Sequence, residues 1–387
     1  MITILLIIVY IAFISLGLPD SMLGAAWPTI QQDLSLPVEG AGLISFIVAG
    51  GTIVSSLLSG KLIKKLGTGK LTLISVFMTA LPLLGYSLSH NYISLCLLGI
   101  PLGLGAGAVD AALNNFIAMH FSARHMNWLH CFWGVGATTG PIIMSLAISR
   151  SGKWQNGYLI VAIIQIVLVI TLLLSLPIWN KFKDDQIEEQ VKIEEKNIPI
   201  MQLPGVLPAM VGFFCYCALE AAAGLWGASY LVRAKGIQEA VAAGWVSMFY
   251  LGITIGRFIN GLFTVRFSNA VLVRAGQVII GLGALVLMIF TQYYANLFGL
   301  VLIGLGCAPI YPSMLHETPV RFGKNNSVRL MGIQMAFAYI GTTLIPPLLG
   351  YIMGKTGMEL YPIFILILLV IMILGSERVN KIVKRRG

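Results

Sequence analysis

The stretch Asn180-Lys-Phe-Lys-Asp-Asp-Gln-Ile-Glu-Glu-Gln-Val-Lys-Ile-Glu-Glu-Lys-Asn197 is the one long polar segment in a chain of 387 residues. Its charged residues predict a solvated linker. Elsewhere the chain is apolar: hydrophobic residues make up 57% of it, charged residues only 10%, and the mean hydropathy is +0.88. A soluble domain carries roughly a quarter charged residues. The composition therefore excludes an ordinary globular enzyme, whose surface needs more polar groups.

Apolar segments recur on both sides of this linker, and each can cross a hydrocarbon core of roughly 30 Å as a helix. We expect helices at 2–30, 41–63, 70–90, 92–119, 127–149, 156–179, 205–232, 240–264, 270–291, 293–315, 327–352 and 359–375. The sequence thus predicts an all-α membrane protein with about 12 transmembrane helices in two pseudo-symmetric six-helix bundles. The expected divisions are a bundle at 1–180, a charged linker at 181–203, a bundle at 204–376 and a basic tail at 377–387.

The two halves repeat short motifs at similar offsets. Gly103-Leu-Gly105 recurs as Gly304-Leu-Gly306, an offset of 201 residues. The run Gly136-Ala-Thr-Thr-Gly-Pro141 recurs in looser form as Gly341-Thr-Thr-Leu-Ile-Pro346, an offset of 205. These offsets predict an internal duplication of a six-helix unit, which is a recurrent plan of membrane transporters.

The distribution of Lys and Arg predicts the orientation in the membrane. With the N-terminus inside, nineteen of the 25 basic residues fall on inner segments and five on outer loops, while Arg257 lies within a helix. By the positive-inside rule, both termini are expected to be cytoplasmic in a multi-pass protein of the cell (plasma or inner) membrane. The net charge of +10 is then a topology signal. We expect the lipid bilayer and a small-molecule substrate as partners, no nucleic acid, and function as a monomer.

The segment Gly60-Lys-Leu-Ile-Lys-Lys-Leu-Gly-Thr-Gly-Lys70, between the second and third helices, resembles the cytoplasmic loop signature of the major facilitator superfamily. Gly60 and Gly67 are expected to allow close helix approach and a tight turn, and Lys64 and Lys65 to hold this gating loop at the inner face. The family has an Asp where Lys64 stands, and that Asp helps to latch the closed cytoplasmic gate. The latch in this chain must therefore differ or be absent.

A closer resemblance, to the fucose permease branch of sugar–proton symporters, covers most of the chain. Members of this branch typically have an Asp in the first helix and an acid followed four residues later by Asn in the fourth helix. Asp20, Asp110 and Asn114 match those positions. The segments that carry the resemblance are Gly17-Leu-Pro-Asp20, Asp110-Ala-Ala-Leu-Asn114, Leu129-His-Cys-Phe-Trp-Gly134 and Gly256-Arg-Phe258.

Four charged residues, Asp20, Asp110, Glu220 and Arg257, fall within the expected membrane helices. An unpaired charge there costs roughly 3 kcal/mol on insertion scales, and desolvation favours the protonated form of a carboxylic acid. We therefore expect the three acids to be proton-coupling residues, the alternative being polar contacts that only join helices. Arg257 lies about 13 Å from Arg266 along a helix. Three roles are open for it: snorkelling to the inner face, pairing with Glu220, or receiving an anionic substrate.

A sugar site needs planar hydrogen-bonding groups and an aromatic face. Trp27 follows Asp20 by seven residues and Tyr216 precedes Glu220 by four, so each pair is expected to share a helix face. Tyr311 is the repeat counterpart of Asp110 through the offset of 201. Structural packing or anchoring at the membrane interface is the alternative for such aromatic residues. By analogy with the family, the candidate substrate-binding residues are Trp27, Asn114, His130, Trp133, Tyr216, Trp226, Arg257, Tyr311, Gln334 and Phe337.

The sequence has no Walker-type phosphate loop, zinc motif or nucleophile elbow. We therefore expect no enzyme activity and no cofactor, with a proton gradient as the energy source. The sequence therefore predicts proton-coupled symport of a sugar or similar small polar solute by alternating access. One alternative is a proton-coupled exporter of drugs or organic anions that uses Arg257 as the anion receptor. The other is a membrane sensor that transports nothing.

Overall fold

The computed structural model describes residues 2–121, 123–179, 201, 203–263 and 266–384. The expected linker lies almost wholly outside the described residues, as do the last three residues of the expected tail. The described residues form these α-helices: α1 Ile2–Asp20, α2 Met22–Asp33, α3 Gly40–Leu66, α4 Thr68–Ser87, α5 Tyr92–His120, α6 Ala123–Ser151, α7 Trp154–Trp179, α8 Val206–Arg233, α9 Glu239–Phe263, α10 Asn269–Ile289, α11 Tyr293–Cys307, α12 Ile310–Phe322, α13 Lys324–Thr356 and α14 Tyr361–Lys384. A short 3-10 helix, Met358–Leu360, precedes α14.

Twelve stretches within these ranges are long and apolar enough to span a membrane, so the predicted fold class is confirmed. Two of the twelve expected helices are nevertheless interrupted. The first breaks at Ser21, between α1 and α2, and the tenth breaks between Cys307 and Ile310. Proline lies at both places, Pro19 in the last turn of α1 and Pro309 at the start of α12. Each proline lacks the N–H that a continuous helix needs.

A buried glutamine satisfies the carbonyl group that Pro19 leaves without a helical donor. The Gln165 side-chain amide in α7 donates to the backbone oxygen of Ser15, four residues before the proline, at 2.9 Å. The same side chain accepts a hydrogen bond from Thr79 of α4 at 2.7 Å. Contacts with α4 and α7 therefore supply the hydrogen bond that Pro19 cannot make within the helix.

The helices group into two compact units. Unit 1 comprises Met1–Leu36 and Leu43–Lys196, and unit 2 comprises Pro37–Gly42 and Asn197–Gly387. Within unit 1, α4 packs on α5 and α7, and α1 packs on α6. Within unit 2, α11 packs on α9 and α10, and α8 packs on α13 and α14. The charged site residues of each unit are carried by these packed helices.

The repeated glycines make equivalent close contacts in the two units. A Cβ at Gly103 would lie 2.1 Å from the carbonyl oxygen of Val48, and a Cβ at Gly304 would lie 2.1 Å from that of Phe249. Gly304 follows Gly103 by 201 residues, and Phe249 follows Val48 by the same number. The same offset relates the contact of Gly105 with the Ser75 oxygen to that of Gly306 with the Gly276 oxygen. The repeat in the sequence is thus a repeat of backbone contacts.

The second repeated motif gives the same result for a different pair of helices. A Cβ at Gly136 of α6 would lie 2.0 Å from the oxygen of Ile14 in α1. A Cβ at Gly341 of α13 would lie 2.7 Å from the oxygen of Phe214 in α8. The glycines are 205 residues apart and their partners 200. The predicted internal duplication is therefore confirmed, and the offset of 200 gives the correspondence between α1 and α8.

The loop after α3 agrees with the expected motif at Gly67 but not at Gly60. Gly67 has φ +76°, a conformation that glycine adopts readily, and it turns the chain from α3 into α4. A Cβ on Gly60 would meet nothing within 4 Å, so the expected close helix approach at Gly60 is wrong. Lys64 and Lys65 are exposed in the last turn of α3.

These contacts predict opposite results for two identical substitutions. Gly103→Ala is expected to destabilise the protein by about 1–3 kcal/mol or more, because the new methyl group overlaps a backbone oxygen that cannot rotate away. Gly60→Ala is the matched control and is expected to be neutral or slightly stabilising, since alanine favours helix. Thermal unfolding of both variants in the same detergent tests this. Equal melting temperatures for the two variants would contradict the packing described above.

The last helix extends further than expected. We expected it to end at residue 375 and the chain to continue as a tail, but α14 runs to Lys384. Contacts between α10 and α14 account for the extension. Arg274 of α10 donates two hydrogen bonds to Glu377, at 2.6 and 2.8 Å, and Gln277 donates to Ser376 at 3.0 Å. The polar residues after 375 therefore pack against α10.

Candidate functional site

Unit 1 contains two of the expected acids. Asp20 is the last residue of α1, and its carboxylate accepts a hydrogen bond from the indole N–H of Trp133 in α6 at 2.8 Å. Asp110 lies in α5, where its carboxylate accepts a hydrogen bond from the amide of Asn114 at 2.9 Å. That spacing of four residues places the two side chains on one helix face. The predicted association of Asp110 with Asn114 is therefore present.

The two carboxylates of unit 1 are neighbours. Helices α1 and α5 pack together, and the charges of Asp20 and Asp110 interact electrostatically. Asp20 is exposed and Asp110 is partly buried. In the part of the chain that the structure describes, neither carboxylate forms a salt bridge with a cationic side chain. Unit 1 thus holds two acids on packed helices, each bonded to a neutral donor.

Unit 2 holds the third acid in a different environment. Glu220 of α8 accepts a hydrogen bond on Oε2 from the Tyr216 hydroxyl, one helical turn earlier. Its Oε1 lies 3.6 Å from Nη2 of Arg257 in α9, and the two side chains are 19% and 18% exposed. Of the three roles open for Arg257, the structure therefore shows pairing with Glu220. Part of each side chain remains accessible.

Tyr216, which bonds to Glu220, belongs to a cluster of aromatic rings. The Tyr216 hydroxyl also lies 3.0 Å from the carbonyl oxygen of Cys307. The ring centroid of Tyr311 is 6.2 Å from that of Tyr216 and 5.1 Å from that of Phe213. Phe213 was not among the site residues predicted from the sequence. Its position three residues before Tyr216, on the same helix face, was the signal that could have identified it.

The repeat relates the acids of the two units. With the offset of 200 between α1 and α8, Asp20 corresponds to Glu220. With the offset of 201, Asp110 corresponds to Tyr311 and Ser56 corresponds to Arg257. Both units therefore place an acid at the same point of the same helix. Only unit 2 adds an arginine, since Ser56 instead donates a hydrogen bond to the carbonyl of Gly107 at 3.2 Å.

Three aromatic candidates, Trp27, Trp226 and Tyr216, are completely buried. Trp226 donates its indole N–H to the carbonyl of Pro346 at 2.8 Å, which is a packing contact between α8 and α13. Trp27 lies in α2, beyond the interruption at Ser21, so the expected continuous helix face joining it to Asp20 is wrong. Direct contact of these three rings with a solute requires movement of their neighbours.

The other candidates lie in more varied surroundings. The exposed His130 packs its ring edge-on against Phe13 at a centroid distance of 5.9 Å. Gln334 is buried and accepts a hydrogen bond from Thr318 at 2.8 Å. Phe337 packs against a hydrophobic cluster that joins α8, α12, α13 and α14. Among the described residues, no group of three or more His, Cys, Asp or Glu side chains could hold a metal ion.

The model of the Major Facilitator Superfamily matches residues 9–246 and 208–379. The chain belongs to the major facilitator superfamily. Together with the twelve apolar spans found in the described part of the chain, this membership makes it a multi-pass membrane protein and a transporter of that class. The membership expected from the segment Gly60–Lys70 is confirmed.

The chain is similar to several transporters over most of its length. The chain is 25% identical to the hexuronate transporter of Bacillus subtilis (strain 168) over 385 residues, 88% of this chain and 85% of the relative. It is 23% identical to the glucose/mannose transporter GlcP of the same strain, over 89% of this chain and 87% of the relative. The crystal structure of the superfamily transporter FucP in the outward conformation aligns with a TM-score of 0.63 and 17% identity, covering 96% of this chain and 97% of that one. At that identity, the likeness to FucP shows the fold alone.

Proposed function

We propose that this superfamily member is a proton-coupled symporter of a sugar or a similar small polar solute, which works by alternating access. The observation that carries the proposal is that Asp20 and Asp110 lie within membrane spans of unit 1, on two helices, α1 and α5, that pack together. Each carboxylate accepts a hydrogen bond from a neutral donor, Trp133 or Asn114, and among the described residues neither forms a salt bridge.

Two carboxylic acids on packed helices within the membrane spans can together carry a proton. Protonation of one removes its desolvation cost and also the repulsion between the two. A conformational change that alters access of water to the pair therefore changes how many protons the pair binds. By reciprocity, a proton gradient biases that conformational change. Glu220, the third acid expected to couple protons, pairs with Arg257, so we assign coupling to the pair in unit 1.

The proposed solute class is supported by the names of relatives and by the residues near the acids. One relative is named as a glucose/mannose transporter and another as a hexuronate transporter. In this chain Asn114, Trp133 and Tyr311 supply an amide, an indole and a phenol, all partly accessible. These groups can hydrogen-bond to hydroxyls and pack on the C–H face of a sugar ring. The proposal includes no cofactor, because the proton gradient supplies the energy.

Uptake into proteoliposomes tests this function. D-glucose, D-galactose and D-galacturonate are offered separately, with the outside one pH unit more acidic than the lumen. One pH unit corresponds to 1.36 kcal/mol, which supports about tenfold accumulation in one-to-one symport. We expect accumulation of at least one of them that disappears when a protonophore collapses the gradient. Accumulation that does not depend on the proton gradient would contradict the proposal. Failure to accumulate any of the three sugars would also contradict it.

We also propose that both termini are cytoplasmic and that the protein acts as a monomer in the cell membrane. The support for the orientation is the excess of Lys and Arg on the segments assigned to the inner face. Lys65 is exposed at the C-terminal end of α3, and Lys153 is exposed in the loop between α6 and α7. In intact cells, a membrane-impermeant thiol reagent should label a cysteine placed at 153 and spare one at 65. The reverse pattern would overturn the orientation.

A further inference from the structure

The last turns of α3 present a buried face and an exposed face. Ser55, Ser59 and Ile63 are buried, and Ile63 belongs to a hydrophobic cluster with Leu71 of α4. The exposed residues follow helical spacings of three and four, which place them on one side of the helix. They are Val54, Leu57, Leu58, Gly60, Lys61, Lys64 and Lys65. This surface, which we call the α3 face, is continuous along the helix.

The α3 face changes from apolar to basic along its length. Val54, Leu57 and Leu58 are 50%, 79% and 46% exposed within the membrane span Gly40–Leu66. Exposed apolar side chains in a span suit the hydrocarbon of a bilayer. Seven residues of helix rise about 10 Å, which puts Lys64 that far beyond Leu57 along the axis. The lysines therefore lie where hydrocarbon gives way to lipid headgroups.

Gly60 leaves open space where the two parts of the α3 face meet. It is exposed, and it stands three residues after Leu57 and four before Lys64. A Cβ built on Gly60 would meet nothing within 4 Å. The missing side chain therefore leaves room for a polar group of a ligand beside the lysines.

The lysines of the α3 face form a local excess of positive charge. In the part of the chain that the structure describes, the salt bridges all involve arginines, and none includes one of these lysines. The segment Gly60–Lys70 contains no Asp or Glu. Lys70, exposed in the first turn of α4, adds a fourth cation at the same end of the helix pair.

The repeat shows that the fold does not require these lysines. With the offset of 201, Lys61, Lys64 and Lys65 correspond to Leu262, Val265 and Arg266, so unit 2 has one basic residue in place of three. Cations three and four residues apart on a helix repel one another. An anionic partner would remove that repulsion.

We propose that Lys61, Lys64 and Lys65 bind the headgroup of an anionic phospholipid, whose acyl chains lie along Leu57 and Leu58. Charge complementarity selects an anion, since lysines near a membrane surface attract acidic lipids. The apolar half of the α3 face selects a lipid over a free anion, which would have no use for exposed leucines. The proposal depends neither on the solute nor on proton coupling.

Photochemical labelling of the full chain in phosphatidylcholine nanodiscs tests this site. A minor fraction of photoreactive phosphatidylglycerol is compared with photoreactive phosphatidylcholine that has the same acyl chains. Labelled peptides are mapped by mass spectrometry after cleavage with chymotrypsin, which does not depend on lysine. A lysine near an anionic surface is worth roughly a fivefold preference. We expect phosphatidylglycerol to label the α3 face at least tenfold more than phosphatidylcholine does.

Two triple variants separate charge from position. Lys61→Gln/Lys64→Gln/Lys65→Gln should lower the preference at the α3 face about tenfold or more, whereas replacement of the same three lysines by arginine should keep it. The end of α14 is an internal reference, because Leu374, Arg378 and Lys381 are exposed there. Its labelling should be the same in all three proteins. The lysines are exposed, so we expect the variants to unfold at the wild-type temperature.

Three results would overturn the proposal. The first is equal labelling of the α3 face by the two lipids in wild type, which needs no variant. The second is a wild-type preference in the glutamine variant, which would leave the acidic linker of this chain as the alternative partner of the lysines. The third is full displacement of phosphatidylglycerol by inorganic phosphate, which would show that a free anion suffices. Labelling that resists phosphate supports the lipid.

Discussion

Asp110→Asn is expected to abolish accumulation of solute driven by a pH gradient. The amide keeps the shape of the carboxyl group and can still bond to Asn114, but it cannot take up or release a proton. With one pH unit across the membrane, the accumulation ratio should fall from about ten to about one. Exchange of labelled for unlabelled solute needs no net proton movement and should survive. Both quantities are measured in the same proteoliposome preparation.

Asp33→Asn is the matched control for this prediction. Asp33 ends α2 and accepts hydrogen bonds from Trp154 at 2.9 Å and from Gln155 at 3.3 Å, so it is not a member of the pair formed by Asp20 and Asp110. The same chemical change at Asp33 should leave the accumulation ratio near ten. Unchanged accumulation in Asp110→Asn, with the control behaving as stated, would remove Asp110 from the coupling mechanism.

Arg257→Gln is expected to cause the largest loss of stability among the charge substitutions. It leaves Glu220 as an unpaired charge in a membrane span, and removal of one partner from a buried ion pair costs about 3–5 kcal/mol. Because both side chains remain partly exposed, we expect the lower end of that range. Glu220→Gln/Arg257→Gln should cost less than Arg257→Gln alone, since neither charge is left without the other.

A double-mutant cycle on reversible unfolding in detergent measures this coupling. The pair of Arg274 and Glu377 provides the comparison, with side chains that are 53% and 33% exposed. An exposed pair is worth about 0.2–1 kcal/mol. The coupling at Arg257 should exceed the coupling at Arg274 several-fold. Additive losses at Glu220 and Arg257 would show that the ion pair contributes little to the stability of unit 2.

Local spacing in the sequence predicted much of the site. Asp110 with Asn114 and Tyr216 with Glu220 are each four residues apart, and each pair is in contact. Helical periodicity alone fixes such neighbours. Pairing with Glu220 was one of three roles that the sequence left open for Arg257, and it was considered because so few charges lie in the membrane spans. The glycine repeat likewise predicted the duplication, since close backbone contact demands glycine at particular positions.

Contacts between distant residues could not be predicted in this way. The interruption at Ser21 depends on Pro19 and on Gln165, which lies far along the chain, and it separates Trp27 from the helix that carries Asp20. The burial of Trp226 follows from a hydrogen bond to Pro346, 120 residues away. No local pattern distinguishes such an indole from one that contacts a solute. The equivalence of Asp20 with Glu220 also emerged only from the packing of Gly136 and Gly341.

Proton movement caused by the solute tests the central claim most directly. The protein is reconstituted in weakly buffered proteoliposomes without an imposed gradient, and the sugar found to accumulate in the uptake assay is added outside while the luminal pH is recorded. We predict acidification of the lumen as the sugar enters, and none with Asp110→Asn. Sugar entry without a change in luminal pH, or with alkalinisation of the lumen, would contradict proton symport.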